Sequence, residues 1–276
     1  MTSNALAPSA VWDGGLTTFM KRGIRIEAMR LEEIQRVQQR ALAPALEQIG
    51  RRYSDRDQGI ATDYTKKFQR HWTERVNNWN EQRLLKRLLE PVSVEKFDRC
   101  AALDLPCGYG RLYHHLRDLG ASVVESDWSS HLLTAARHFH ATDRNSPLPA
   151  GYVRATALSL PFKDRAFGLV LSVRLCHHIR EHQERLQYLR EMMRVSDKWL
   201  VFTYFDSDSI KNRTHEFRRR FNGKRSKWTL DPEEVKALSR SAGFEVVQSI
   251  WVSKFFSGHR YVLLRRFNRM AAAGHN

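Results

Sequence analysis

The residues with the clearest chemical meaning are one acid and two glycines in a short turn, Asp104, Gly108 and Gly110. The apolar run 101–103 precedes the acid, and an amphipathic pattern begins at Leu112. Strand, glycine turn and helix in this order open a doubly wound α/β sheet, in which ligands bind at the carboxyl ends of the strands. Because glycine has no Cβ, the backbone can turn tightly there and approach a ligand closely.

The same turn argues against a dinucleotide as that ligand. A dinucleotide fingerprint requires a third glycine, where this chain has Tyr113. Asp104 also puts a carboxylate where a pyrophosphate would lie. We therefore expect a ligand that carries positive charge and no phosphate.

The segment from Asp104 to Gly110 reads acidic-x-x-x-Gly-x-Gly, and it resembles the first motif of the class I S-adenosylmethionine (SAM)-dependent methyltransferases. SAM has an ammonium and a sulfonium group but no phosphate, which suits an acid beside two glycines. The resemblance implies that Asp104, Pro106, Gly108 and Gly110 bind SAM and that S-adenosylhomocysteine (SAH) is the product.

A second acid, Asp127, follows the apolar strand pattern 121–126. An acid about 20 residues beyond the glycine turn is where α/β nucleotide sites accept the ribose hydroxyls. Asp127 thus matches the second motif of the family. Trp128 either lies on the adenine face or covers a sheet edge, and Ser129 is a good N-cap for the next helix.

The segment 156–162 resembles the adenine-side motif Asp-Ala-x-x-Leu-Pro-Phe, with Thr156 in place of the acid. The resemblance implies that Thr156 and Ala157 contact adenine through a hydroxyl group and backbone amides, with Leu158 as a further amide donor. A second departure is Gly168, where the family usually has an aspartate in the fourth strand, 167–172.

His177 and His178 follow that fourth strand, in a run that resembles the family's leucine-x-His-His entry to the next helix. One of them is expected to hold the loop, and the other to act as general base or acceptor contact. His178 and His182 stand one helical turn apart. We nevertheless expect no metal, because a third ligand at fixed spacing is missing.

The acceptor side is expected to include Arg174, next to the histidines, and Tyr204, in the fifth strand 198–205. The basic segment 206–228 follows, and its cations Arg218, Arg219 and Lys224 suit an anionic acceptor. The alternative for this segment is a solvated basic helix.

Before the first motif, residues 1–20 are expected to be disordered, and 21–92 to form a helical cap over the cofactor. Its second helix is predicted from Thr62 to Glu90, ended by Pro91. Trp72 and Trp79 are predicted to pack against the core. Tyr64 resembles the lid tyrosine of such caps; an ordinary surface tyrosine is the alternative.

The composition of the chain limits the kinds of partner and the cellular setting that we expect. The formal net charge of +16 at pH 7 favours an anionic partner such as a phosphorylated small molecule, RNA or an anionic membrane face. No apolar stretch is long enough to cross a bilayer and no signal peptide is recognised, so any membrane association would be peripheral. Three cysteines without metal or disulfide spacing indicate a cytoplasmic setting.

These observations predict an α/β, doubly wound, seven-stranded sheet of the class I methyltransferase type over residues 93–267, with a loose tail at 268–276. The predicted reaction transfers the sulfonium methyl to an oxygen or nitrogen of an anionic small molecule, glycan or lipid-linked acceptor. The alternatives are an RNA methyltransferase and a catalytically silent SAM-binding partner subunit, the latter suggested by Thr156 and Gly168.

Overall fold

A computed structural model describes residues 72–94, 101–143, 146–209, 228–253 and 257–267 of the chain. Several expectations lie outside these residues. They concern residues 1–71 with Tyr64, the tail 268–276, and the cations Arg218, Arg219 and Lys224.

The described chain alternates strands and helices, as the sequence predicts. The helices are α1 (Trp72–Val94), α2 (Tyr113–Arg117), α3 (Ser130–Thr142), α4 (His182–Val195) and α5 (Pro232–Ser241), with a 3₁₀ turn at Cys176–His178. The strands are β1 (Ala101–Asp104), β2 (Ser122–Asp127), β3 (Gly151–Arg154), β4 (Phe167–Ser172), β5 (Ser196–Asp206), β6 (Thr229–Leu230), β7 (Phe244–Ser253) and β8 (Ser257–Arg266).

One sheet contains all eight described strands, seven of them in the order β3-β2-β1-β4-β5-β8-β7. β1 to β5 are parallel, whereas β8 runs antiparallel to β5 and β7. This confirms the doubly wound α/β prediction. The sequence missed β6, which is too short to show a period and pairs with the end of β5 through Phe205 and Asp206.

Both faces of the sheet are covered, and this is why its central strands read as continuous apolar runs. Every residue of β1 is buried. Successive side chains of a strand point to opposite faces, so Leu103 joins the core beneath α4 and α5. Ala102 joins the core on the other face, where Leu85 and Leu88 of α1 pack.

Helix α1 corrects two predictions. It ends at Val94, so Pro91 lies inside its last turn. Proline there removes only one hydrogen bond, and the fully buried Val92 holds the turn against the sheet. Trp79 is 60% exposed, with the Arg83 guanidinium over its ring, so it does not pack in the core. The side chain of Trp72 lies outside the described part.

Gly168 lies at the amino end of β4, where the pairing with β5 shifts register between Phe167 and Leu169. Glycine is common at such bulges because it tolerates the local bend. The carboxyl end of β4, where ligands bind in this architecture, is at the opposite end of the strand. The departure at Gly168 therefore has a structural reason away from the site.

Candidate active site

The carboxyl ends of β1 and β2 bring three acids together. Asp104 ends β1 and pairs in register with Glu125 of β2. Asp127 ends β2 and faces the same side as Glu125, because side chains alternate along a strand. All three are at least 95% buried, with exposures of 0%, 0% and 5%. The glycine turn that follows β1 adjoins this cluster.

Asp104 is a fully buried carboxyl group at the end of β1. Neither of its carboxylate oxygens has a hydrogen-bond partner in the described structure. Burial, followed by repulsion from Glu125 and Asp127, raises the pKa of Asp104 well above its ordinary value, against a lowering effect of Arg111. A buried, unpaired carboxylate is costly, and a positively charged ligand would remove that cost.

Asp127 fastens the glycine turn to the start of α3. Its Oδ2 accepts a hydrogen bond from the Gly108 amide at 3.0 Å, and its Oδ1 accepts one from the Ser129 amide at 2.9 Å. Ser129 in turn caps α3, as predicted, by accepting from the Leu132 amide. Asp127 therefore links the end of β2 both to the glycine turn and to the start of α3.

Gly110 is required for a reason that the sequence did not reveal. It has φ +84°, and a Cβ added there would lie 2.2 Å from His140 Nε2 and 3.1 Å from Glu125 Oε1. The glycine thus makes room for a side chain of the protein itself. Gly108 also has positive φ, at 59°, as its tight turn demands.

Glu125 and His140 form a buried pair beneath the turn, 2.9 Å apart. Burial raises the pKa of Glu125, partly offset by the hydrogen bond from His140. Tyr113, which stands where a dinucleotide site needs glycine, packs its ring 4.5 Å from that of His140 and donates to the Pro147 carbonyl. The sequence does not predict the pair, because Glu125 reads as an ordinary strand residue and His140 as a residue on the surface of a helix.

The neighbouring positions of the predicted cofactor site are ordered by local contacts. Arg154 lies 4.7 Å from the centroid of the Trp128 ring and donates to the Trp128 carbonyl at 2.9 Å, which fixes that ring. Pro106 follows a cis peptide bond. These contacts neither place adenine on Trp128 nor exclude it, so that assignment remains a prediction.

On the adenine side, the Thr156 hydroxyl accepts a hydrogen bond from the Leu158 amide at 3.3 Å. That amide is therefore already engaged, which corrects its expected role as a further donor to adenine. Ala157 lies beside Thr156 and is 9% exposed. Thr156 and Ala157 thus adjoin the end of β3, where the predicted adenine-side motif belongs.

The predicted acceptor side contains a cluster of aromatic and imidazole rings. His177 packs against His178 with ring centroids 4.2 Å apart, against Phe205 at 4.3 Å and against His259 at 5.0 Å. His259 of β8 also packs on Phe205, its register partner on β5. The sequence singled out His177 and His178 but missed His259, because β8 is distant in the chain and antiparallel.

Two predicted acceptor contacts have other partners. Arg174 Nε donates to Glu81 of α1 at 2.9 Å, so its side chain serves a link between elements. Tyr204 is 1% exposed and stacks on Phe202 in the core, which corrects the expectation that it lines an open acceptor site. His182 Nε2 lies 2.8 Å from Glu234 Oε1 of α5.

The comparisons with known proteins match this geometry. Residues 103–199 match the family model described as a methyltransferase domain. The chain is 22% identical over 179 residues to the ubiquinone biosynthesis O-methyltransferase of Bartonella bacilliformis, covering 59% of this chain and 67% of that protein. It is 32% identical over 114 residues to the enzyme of the same name from Bartonella tribocorum, covering 41% and 45%.

The structure also resembles magnesium protoporphyrin IX methyltransferase from Synechocystis PCC 6803 with bound SAH. The TM-score is 0.63 at 15% identity, with 75% of this chain and 96% of that one covered. The chain thus carries a methyltransferase domain, and its fold is that of the class I SAM-dependent methyltransferases. It spans less than half of the Bartonella tribocorum relative, so its acceptor and the activity of the whole protein belong to the proposal below.

The residues present fit SAM, the cofactor of this family. Asp104, with its two unpartnered oxygens, suits a cationic group, and Asp127 beside Gly108 suits vicinal hydroxyls. The comparisons name neither RNA nor a glycolipid among the relatives and structures cited above. No helix in the described ranges is long and apolar enough to cross a membrane.

Proposed function

We propose that this protein transfers the methyl group of SAM to an oxygen of a small, anionic acceptor that binds beside His177. The observation that carries the proposal is the position of the ring cluster His177, His178, Phe205 and His259. It follows the carboxyl ends of β4 and β5, while Asp104 and Asp127 mark the ends of β1 and β2. The groups assigned to the cofactor and to the acceptor are thus both at the carboxyl ends of the parallel strands.

The cofactor half is assigned to Asp104, Pro106, Gly108, Gly110, Asp127, Trp128, Thr156 and Ala157. When bound, SAM supplies an activated methyl group on its sulfonium. Asp104 would hold positive charge of the cofactor, and Asp127 would accept hydrogen bonds from the ribose. Because the methyl group is already activated, the main task of the chain is alignment of the two reactants, which can contribute several kcal/mol.

The acceptor half is assigned to the ring cluster. An imidazole nitrogen of His177 or His178 would take the proton of an acceptor hydroxyl, and the faces of Phe205 and His259 would pack against a flat acceptor. Both Bartonella relatives carry the name O-methyltransferase, which supports oxygen over nitrogen. The net charge of +16 supports an anionic acceptor. We also propose a cytoplasmic setting, because the three cysteines lack disulfide spacing.

The sequence left two alternatives, a catalytically silent SAM-binding subunit and an RNA methyltransferase. Gly168 lies at a bulge at the amino end of β4, and the Thr156 hydroxyl accepts a hydrogen bond from the Leu158 amide within its own turn. We therefore propose an active enzyme rather than a silent subunit. Neither Bartonella relative has a name that mentions RNA.

The test is methyl transfer from labelled SAM to a panel of small phenols, aromatic carboxylates and their aromatic amine analogues, with single alanine variants of His177 and His178. General acid–base catalysis contributes about 10²–10⁴-fold, so the variant that lacks the base should lose roughly 100-fold or more in kcat. His182→Ala serves as the control on the same loop and helix entry. Full turnover by both variants would show that neither histidine is the base, and label on nitrogen would overturn the choice of oxygen.

A further inference from the structure

We propose that Glu81 of α1 is a positioning residue that holds the glycine turn and the loop after β4 in one arrangement. The inference rests on the site assigned under the proposed function. The described contacts of Glu81 are with Arg111, Arg174 and Tyr261, and it acts on the site through the two arginines.

The contacts converge on a single buried carboxylate. Glu81 is 1% exposed, and its Oε2 lies 2.7 Å from Arg111 Nη2 in an ion pair. Its Oε1 accepts a hydrogen bond from Arg174 Nε at 2.9 Å. The Tyr261 hydroxyl of β8 donates a short hydrogen bond to the same Oε1. The Glu81 side chain thus contacts the end of the glycine turn, the loop after β4 and strand β8.

Arg111 directly follows Gly110 in the glycine turn, so the ion pair fixes the end of that turn. The Arg111 Nη1 also donates to the Asn78 side chain of α1 at 2.9 Å. A guanidinium held by two groups one helical turn apart cannot rotate without breaking one contact. Helix α1 therefore sets where the glycine turn ends.

Arg174 stands between β4 and the 3₁₀ turn that carries His177 and His178. Its φ is +65°, which a non-glycine residue adopts only when its surroundings impose it. Its amide donates to Thr203 Oγ1 at 2.7 Å, and its side chain is anchored on Glu81. The backbone that leads into the histidines is thus held in an unfavourable conformation from both ends.

The negative charge of Glu81 couples its contacts with Arg111 and Arg174 to each other. Burial alone would raise the pKa of Glu81, but Arg111 and Arg174 outweigh it, and the pKa is lowered. An ionised buried carboxylate requires its cations, because removal of one partner leaves uncompensated charge. A shift of either arginine would therefore weaken the hold on the other, which couples the cofactor turn to the acceptor loop.

The experiment compares Glu81→Gln with Glu90→Gln, an exposed carboxylate on the same helix. SAH binding is measured by calorimetry well below the unfolding temperature of each variant. Hydrogen exchange is followed at the Gly110 and Arg174 amides, which bond to the Cys107 carbonyl and Thr203 Oγ1. Glutamine keeps the shape but loses the charge, so we expect roughly tenfold weaker SAH binding and faster exchange at both amides.

Unchanged SAH affinity and exchange in Glu81→Gln would overturn the inference even if the unfolding temperature fell, since stability alone would explain that result. If Glu81→Gln does not fold, Tyr261→Phe removes one contact of the same carboxylate and should raise exchange at both amides by a smaller factor. Unchanged exchange there would equally overturn the proposal. Failure of the unaltered protein to bind SAH would instead refute the cofactor site itself.

Discussion

The two halves of the candidate site are built on different principles. The cofactor half is a set of buried acids at the ends of β1 and β2, close together in sequence and tied by backbone hydrogen bonds. The acceptor half is a set of rings packed edge-on or at a tilt, from the 3₁₀ turn after β4, from β5 and from β8, which are distant in sequence. Charge and fixed backbone suit one invariant ligand, whereas ring faces suit acceptors that differ from one enzyme to the next.

The sharpest test of the cofactor half is Asp127→Ala. The carboxylate holds the Gly108 and Ser129 amides and is assigned to the ribose, so its removal takes away several charge-assisted hydrogen bonds. Each is worth about 1.5–3 kcal/mol, and we expect SAH binding to weaken at least ~100-fold. Calorimetric titration measures this, with Asp118→Ala, an exposed acid, as control. Unchanged affinity would refute the ribose assignment.

Gly110→Ala tests whether that half depends on packing as well as charge. The new Cβ would collide with His140, and the positive φ adds strain, so we expect a loss of about 2–3 kcal/mol in unfolding free energy. Gly120→Ala is the matched control, because Gly120 has φ +80° but nothing within 4 Å of an added Cβ. Equal losses in the two denaturation curves would mean that the His140 contact is unimportant.

The pH dependence of SAH binding tests Asp104. Burial and neighbouring acids raise its pKa, so the ligand-free protein binds a proton that a bound ammonium would expel. Affinity should therefore rise with pH above the ordinary carboxyl pKa, by up to about tenfold per unit until Asp104 is ionised. The stability of the ligand-free protein should change in the opposite direction. Its free energy of unfolding should fall as pH rises through that range, because the raised pKa of Asp104 means that the folded state binds the proton more tightly than the unfolded chain does.

Calorimetry in buffers of different ionisation enthalpy would report the proton released on binding. Asp104→Asn should abolish both the proton release and the rise in affinity. A pH dependence that persists in this variant would assign the titration to another group.

Arg154→Ala should have the smallest effect. The guanidinium covers one face of Trp128 and bonds its carbonyl, contacts worth about 0.5–1 kcal/mol. If Trp128 meets adenine, SAH affinity should fall only a few-fold, while Trp128→Ala should cost more. Tryptophan fluorescence during SAH titration would follow that ring, and identical affinities for both variants and the unaltered protein would place Trp128 outside the site.

The sequence was most informative where chemistry and local structure coincide. The acid-glycine pattern predicted β1, the turn and the cation-binding half, because an apolar run and glycines with positive φ are local requirements. It was least informative where one side chain serves two distant elements. Arg174 looked like an acceptor contact, and only its partner on α1 shows that it links elements.

The amino-acid sequence by itself determined the order of strands and helices, the position of the acids Asp104 and Asp127, and the placement of His177 and His178 after β4. Each of these follows from periodicity and turn chemistry within a short window. Only the tertiary structure decided that Glu81 meets Arg111 and Arg174, that His140 fills the space left by Gly110, and that His259 joins the rings. Such contacts depend on which strands become neighbours, and no local period records that.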